Sequence, residues 1–203
     1  GDHQMYLDSD FATASYSGTS TLSRFVRNVM DVTMRKELPA LFKNPEYIWK
    51  EDRYDFLFTC HDLIDILAYA LPGLYVESGT SLQVGIGEDG ILKAGLNSGR
   101  IAFGKQYLKG LSASFDNLDK TLNAEVICDE LSVASIRLND NCLMAHADTN
   151  HVGLSFTYDN HSRFENKGEI IIHGDLSRND EGLAVEVEVK PSSIYMNSKK
   201  WEI

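Results

Sequence analysis

The sequence predicts a mainly β protein, an antiparallel meander that carries one amphipathic helix and one short helix near its start. Three observations lead there. From residue 74 onward apolar residues recur at every second position through run after run, as in strands with one buried and one wet face. Turn residues punctuate the runs at Glu88-Asp89-Gly90, Asn97-Ser98-Gly99, Asn139-Asp140-Asn141 and Asn179-Asp180-Glu181-Gly182. The gaps are too short for the crossovers of about a dozen residues that parallel pairing needs. The chain divides into a mixed segment, 1–73, and an antiparallel β-repeat region, 74–203.

In the mixed segment, His3–Asp8 and Phe11–Tyr16 read as two strands around Asp8-Ser9-Asp10. Leu22, Phe25, Val26, Val29 and Thr33 fall on one helical face, which predicts a helix over about 20–38 with Thr19 or Ser20 as N-cap and Pro39 as its limit. Arg24, Arg27, Asp31 and Arg35 form its other face. The alternation of Tyr54, Phe56 and Phe58 predicts a strand. Asp62 can cap a short helix over about 62–71, through Leu63, Ile66, Leu67 and Ala70, which Pro72-Gly73 stops.

The repeat region supplies the candidate apolar lining. Its first runs are Leu82, Val84 and Ile86, then Leu92, Ala94 and Leu96, then Ile101 and Phe103. Leu111, Ala113 and Phe115 follow, then Leu122, Ala124 and Val126, with a shorter run at Leu131 and Val133. Leu143 and Ala145 come next, then Val152, Leu154 and Phe156, then Ile170 and Ile172. Val185 and Val187, within the run from Leu183 to Val189, complete the set, and Ile194 and Met196 close the series. Strict alternation expects Leu82, Leu111, Leu122 and Val152 on one face, with Gln83, Ser112, Asn123 and Ser155 on the other. The runs share a rough template, a weak internal repeat of the kind that grows a sheet one strand at a time.

Length and composition bound the function classes. A chain of 203 residues and 22.7 kDa suits one domain, or one large domain with a small appendage, and it needs no metal or disulfide to fold. Its hydrophobic fraction of 43% with 24% charged residues excludes wholesale disorder. The formal net charge of −11 argues against a nucleic-acid partner and against loose attachment to an anionic membrane surface. No apolar run reaches the length of a membrane-spanning helix. Gly1-Asp2-His3 reads as a cleavage scar, and Trp201-Glu202-Ile203 as the start of a strand, so the chain is expected to be part of something longer. Cys60, Cys128 and Cys142 form no metal-binding pair. Cys60 and Cys128 read as buried thiols, and a Cys128–Cys142 bridge stays open.

The short motifs lead to no catalytic site. Gly85-Ile86-Gly87-Glu88-Asp89-Gly90 matches G-x-G-x-x-G, but a strand rather than a helix follows and two acids sit in the loop, so it reads as a hairpin turn. His146, Asp148 and His151 could reach one metal across a turn. No fourth ligand is nearby in sequence, and the group reads as a polar turn. His3, His61, His161 and His173 are scattered. Glu186 and Glu188 keep one face of a strand solvated. No catalytic residue, metal ligand or cofactor is assigned.

The apolar face is the positive signal. Its inward residues are often small, as at Ala94, Ala113, Ala124, Ala145 and Ala184. A self-filling sandwich wants larger interdigitating side chains, whereas a thin-walled groove leaves room for an apolar guest. Burying about eight methylenes at roughly 0.8 kcal/mol each gives about 6 kcal/mol. Periodicity leaves open groove and closed sandwich both standing.

Three stretches carry a resemblance. They are Pro191-Ser192-Ser193-Ile194-Tyr195-Met196-Asn197 followed by Trp201-Glu202-Ile203, then Leu71-Pro72-Gly73-Leu74-Tyr75-Val76 with Gly79-Thr80-Ser81-Leu82. Leu7-Asp8-Ser9-Asp10-Phe11-Ala12-Thr13-Ala14 with Tyr16-Ser17-Gly18 is the third. Together they resemble the TamB family, the inner-membrane-anchored subunit of the bacterial translocation and assembly module, within the AsmA-like bridge proteins. The resemblance implies a periplasmic segment of a membrane-anchored protein, with a curved, taco-like sheet and a greasy groove. It implies phospholipid or apolar outer-membrane protein strands as partners, together with other repeats of the same chain and an outer-membrane assembly barrel. The implied roles are outer-membrane protein assembly, protein secretion and phospholipid transport, without catalysis. The helix near Ser20 interrupts the β-repeat and is expected to plug or cap the groove. The alternative reading is an extracellular β-sandwich adhesion or carbohydrate-binding module. Its aromatic candidates, Tyr6, Tyr16, Tyr54, Tyr107, Tyr158 and Trp201, are spread along the chain.

Overall fold

A computed structural model describes residues 2–30, 34–43, 52–134 and 136–203. The chain is mainly β, and among the described residues it forms fourteen strands in one open antiparallel sheet, with two α-helices. The first three strands are β1 (His3–Asp8), β2 (Ala12–Gly18) and β3 (Tyr54–Cys60), with α1 (Leu22–Met30) between the second and third. Next come α2 (Ile64–Ala70), β4 (Leu74–Val76), β5 (Ser81–Ile86) and β6 (Leu92–Phe103). The centre of the sheet is β7 (Gln106–Asp116), β8 (Leu122–Val133), β9 (Ile136–Asp148) and β10 (His151–Asp159). The last strands are β11 (Lys167–Asn179), β12 (Gly182–Val189), β13 (Ser193–Met196) and β14 (Lys199–Glu202).

Neighbours in sequence are mostly neighbours in the sheet, whose order is β1-β2-β3-β5-β6-β7-β8-β9-β10-β11-β13-β14. Two long strands each share one edge between two short ones: β6 pairs β5 along Leu92–Asn97 and β4 along Ile101–Phe103, and β11 pairs β12 and β13 in the same way. The strands of residues 1–73 belong to this same sheet, since β3 pairs β5. After residue 80 the described residues hold no α-helix, only a single 3-10 turn at Leu118–Lys120.

Turns at Glu88-Asp89-Gly90 and at Asp180-Glu181 fall where the sequence places them, with Gly90 at φ 76° and Gly182 at φ 140° supplying conformations that other residues resist. Two other expected turns are corrected. Asn97-Ser98-Gly99 lies inside β6, and Asn139-Asp140-Asn141 lies inside β9. Cross-strand pairing runs on past both, so runs that look separate in sequence merge into strands of 12 and 13 residues.

The described helix falls inside its predicted range of about 20–38. Helix α1 is described over Leu22–Met30, a turn follows in which the Leu38 N–H donates to the Met34 carbonyl at 2.8 Å, and Pro39–Leu41 forms a 3-10 turn. Asp31, Thr33 and the side chain of Val26 lie outside the described residues. Thr19 and Ser20 do not cap the helix; their hydroxyls donate to Asp52 Oδ1 at 3.1 and 3.2 Å. The second helix begins with the Ile64 N–H donating to Asp62 Oδ1 at 3.0 Å. All three cysteines are free. Ile127 pairs Cys142 while Cys128 pairs Asn141, so the two thiols fall in opposite phases of adjacent strands and cannot bridge.

Candidate functional site

Residues paired directly across an antiparallel ladder project to the same side of the sheet. Followed strand by strand, the register therefore shows what each face carries. One row reads Met5, Tyr16, Phe56, Val84, Ala94, Phe115, Ala124, Ala145, Leu154, Ile172, Val189. A second, two residues along, reads Leu7, Ala14, Phe58, Leu82, Leu96, Ala113, Val126, Leu143, Phe156, Ile170. Neither row is broken by a polar residue. The predicted Ile86 pairs Leu92, and Leu122 leads through Ala147, Val152 and Gly174 to Val187, while Val185 pairs Leu176 and Leu111 follows Ala113 in phase. The residues between, among them Gln83, Ser112, Ser114, Asn123, Glu125 and Ser155, make the opposite face largely polar. Sequence reasoning missed Phe56, Phe58, Ala147 and Leu176 as members. The alternation of β3 carried the first two, but only the register joins them to the rest.

Ile101 and Phe103 are placed apart from these rows. On β6 through β9, Gly99, Gly110, Asp129 and Asp140 stand level with one another, bracketed by the pairs Ser98–Leu111, Arg100–Lys109, Lys109–Glu130 and Glu130–Asn139. The ladder is interrupted there, with Gly110 at φ 61° and Asp140 at φ 45°. Beyond it the apolar residues run one step out of phase, as Val76, Ile101, Leu108, Leu131 and Leu138. Phe103 pairs Leu74 in this second patch, which lines a cavity of about 260 Å³ with Leu108, Leu131 and Val133.

Part of the main apolar face is covered by the chain itself. Phe25 of α1 packs into Tyr16, Tyr54, Ile86 and Leu92, with Leu22 and Val29 beside it and ring centroids 5.4 Å from Tyr54 and 6.1 Å from Phe56. Arg27 is exposed, as an outward helical face requires. Farther along, Leu38 and Leu41 lie on Leu122, Ala147, Val152 and Leu176. Polar bonds pin this strap: the Ala40 N–H donates to Asn150 Oδ1 at 2.8 Å, the Asn150 N–H to the Glu37 carbonyl at 2.8 Å, and Arg178 Nε to the Ala40 carbonyl at 2.7 Å. Past the strap the face is open. Leu154 is 36% exposed, Val185 56% and Val187 62%, around a cavity of about 210 Å³ that Ile172 and Leu176 also line.

Charge enters the covered end through one carboxylate. Asp52 accepts from Tyr54 at 2.9 Å and faces the Arg24 guanidinium at 3.1 Å, besides the two hydroxyls above. Burial pushes its carboxyl up, but the hydrogen bonds from Tyr54, Thr19 and Ser20 and the Arg24 charge outweigh burial and hold it below the usual range. Beside it, burial and then the charges of Tyr54 and Asp52 push the Tyr16 phenol up to about 12. In the strap, burial raises the Glu37 carboxyl and Lys36, 3.7 Å away, pulls it partly back. These groups hold the cover in place. No helix among the described residues is long and apolar enough to cross a membrane.

No protein-family model matches this chain, and neither curated proteins nor solved structures give a match.

Proposed function

We propose that this chain is a non-enzymatic, groove-forming segment of a TamB-like periplasmic bridge protein, whose curved sheet shields phospholipid acyl chains or apolar client strands. Its service is phospholipid transport, outer-membrane protein assembly or protein secretion. Its partners are flanking repeats of the same protein and an outer-membrane assembly barrel. The observation that carries this reading is the pair of unbroken apolar rows on one side of a single-layer sheet, open beyond the strap at Leu154, Val185 and Val187. Isolated domains avoid apolar patches larger than a few hundred Å², so a continuous exposed stripe calls for a guest. The small residues Ala94, Ala113, Ala124 and Ala145 in the middle of the rows widen the space above the sheet.

Native mass spectrometry of the chain after incubation with phospholipid vesicles tests the reading. One or more lipids should remain bound, and Leu154→Glu with Val187→Glu should abolish retention while the melting temperature holds within a few degrees. Absence of retained lipid, or retention that survives both charges, would rule out a lipid conduit for this segment.

A further inference from the structure

Beyond the interrupted row, the residues between those of the second apolar patch set two basic side chains opposite one another. The Glu77 N–H, just past the end of β4, donates to the Arg100 carbonyl at 2.9 Å. Arg100 is level with Lys109, and Lys109 with Glu130. Glu77, Arg100, Lys109 and Glu130 therefore form one row on one side of the sheet. Like charges directly opposite in a ladder are destabilising, so the Arg100–Lys109 pair calls for a counter-charge. An acid stands at each end of the row to supply it, and neither does.

Glu130 Oε1 faces Arg137 Nε at 2.8 Å and accepts from the Tyr107 hydroxyl. The Glu77 carboxylate is turned onto Gly99, where a Cβ would collide with it. Asp129, next to Glu130, lies in the same way against Gly110. Among the described residues no carboxylate forms an ion pair with Arg100 or Lys109. The Arg100 guanidinium lies instead over the Tyr107 ring, 4.7 Å from its centroid, a contact that holds the side chain without neutralising it. These groups line a cavity of about 370 Å³. Tyr107 also lines the apolar cavity of about 260 Å³, with Leu108 and Leu131.

We propose that Arg100 and Lys109 form a binding site for a phosphate group. A guanidinium offers a fork of donors and an ammonium a compact charge, and phosphate oxygens accept from both. With Glu130 neutralised by Arg137, the cavity sets two positive charges against the one negative charge of Glu77, in a chain of net charge −11. That local excess draws an anion where the rest of the surface repels one. Two sources carry this chemistry: a soluble phosphate, or the head group of a lipid whose chain reaches the apolar cavity that shares Tyr107. The site stands independently of the groove proposed above, since inorganic phosphate has no acyl chain.

Calorimetric titration of the full chain at low ionic strength tests the site with three ligands: inorganic phosphate, glycerol 3-phosphate, and dihexanoyl phosphatidic acid below its micellar concentration. Binding should be saturable, and Arg100→Gln and Lys109→Gln should each weaken it about fivefold or more, the upper scale of one charged contact near a surface. Lys109→Arg should retain it, and Glu77→Gln, which removes the competing carboxylate, should tighten it. Lys93→Gln, on the same strand as Arg100 but outside the cavity, should leave it unchanged. A preference for the lipid of about tenfold or more, equivalent to about 1.4 kcal/mol, makes the source a head group, and a smaller one makes it a soluble phosphate. Phosphate binding by a chain that retains no lipid from vesicles would count against the groove and support this site. No saturable binding of any of the three ligands, affinity indifferent to Arg100→Gln and Lys109→Gln, or an equal loss on Lys93→Gln would overturn the proposal.

Discussion

At the scale of single residues, the covered end of the sheet depends on Asp52. Thr19 and Ser20 look like helix caps in sequence because hydroxyls before an amphipathic run usually are. Their bonds to Asp52 could not be read, since the partner lies over thirty residues away. Asp52→Asn should remove the charge that Arg24 and three hydroxyls address, costing about 2 kcal/mol at neutral pH. The pH dependence has a definite sign. The folded carboxyl is held below its ordinary value, so its stabilisation is fully present above the unfolded value of about 4 and is lost as pH falls through the folded one. Urea titrations of parent and variant should therefore diverge at neutral pH and converge in strong acid. A gap that stays constant across that range would mean the carboxylate's charge contributes nothing.

At the scale of elements, alternation was enough to find the strands, because a period of two has one structural meaning over runs this long. It failed at phase. Asn97-Ser98-Gly99 and Asn139-Asp140-Asn141 read as turns because their residue types favour turns, yet they mark an interruption within continuous strands, where Gly110 and Asp140 adopt positive φ. A one-step phase change is what a local kink leaves in sequence, and it sets Ile101 and Phe103 one step off the longer rows in the register. The interruption makes a test. At Gly110 a Cβ would collide with the Asp129 side chain, and its φ of 61° is strained for any other residue. Gly110→Ala should destabilise the chain by about 1–3 kcal/mol. Asp129→Gly in the same chain should recover the collision but not the φ cost. A neutral Gly110→Ala in chemical denaturation would show that the row is freely remodelled.

At the scale of the whole molecule, an open sheet with one continuous apolar side has to keep that side from water. The chain covers it from β2 to β6 with α1 and near β8 to β11 with the strap, and leaves the β10–β12 end bare. The two covers differ in kind. Helix α1 inserts aromatic bulk, while the strap rests Leu38 and Leu41 on the sheet and is tied by hydrogen bonds to Asn150 and Arg178. Each such bond contributes about 0.5–1.5 kcal/mol net, so the strap can be released without unfolding the sheet. Asn150→Gly keeps the positive φ that its turn requires while removing the amide, and Arg178→Ala removes the guanidinium. Together they should cost about 2 kcal/mol and bare Leu122, Ala147, Val152 and Leu176, extending the open stripe toward the centre. Binding of a fluorescent fatty acid should then rise severalfold over the parent, with the far-ultraviolet β signal intact. If the folded double variant binds no more probe than the parent, the strap is a structural brace, and the accessible length of the apolar face is set by the sheet alone.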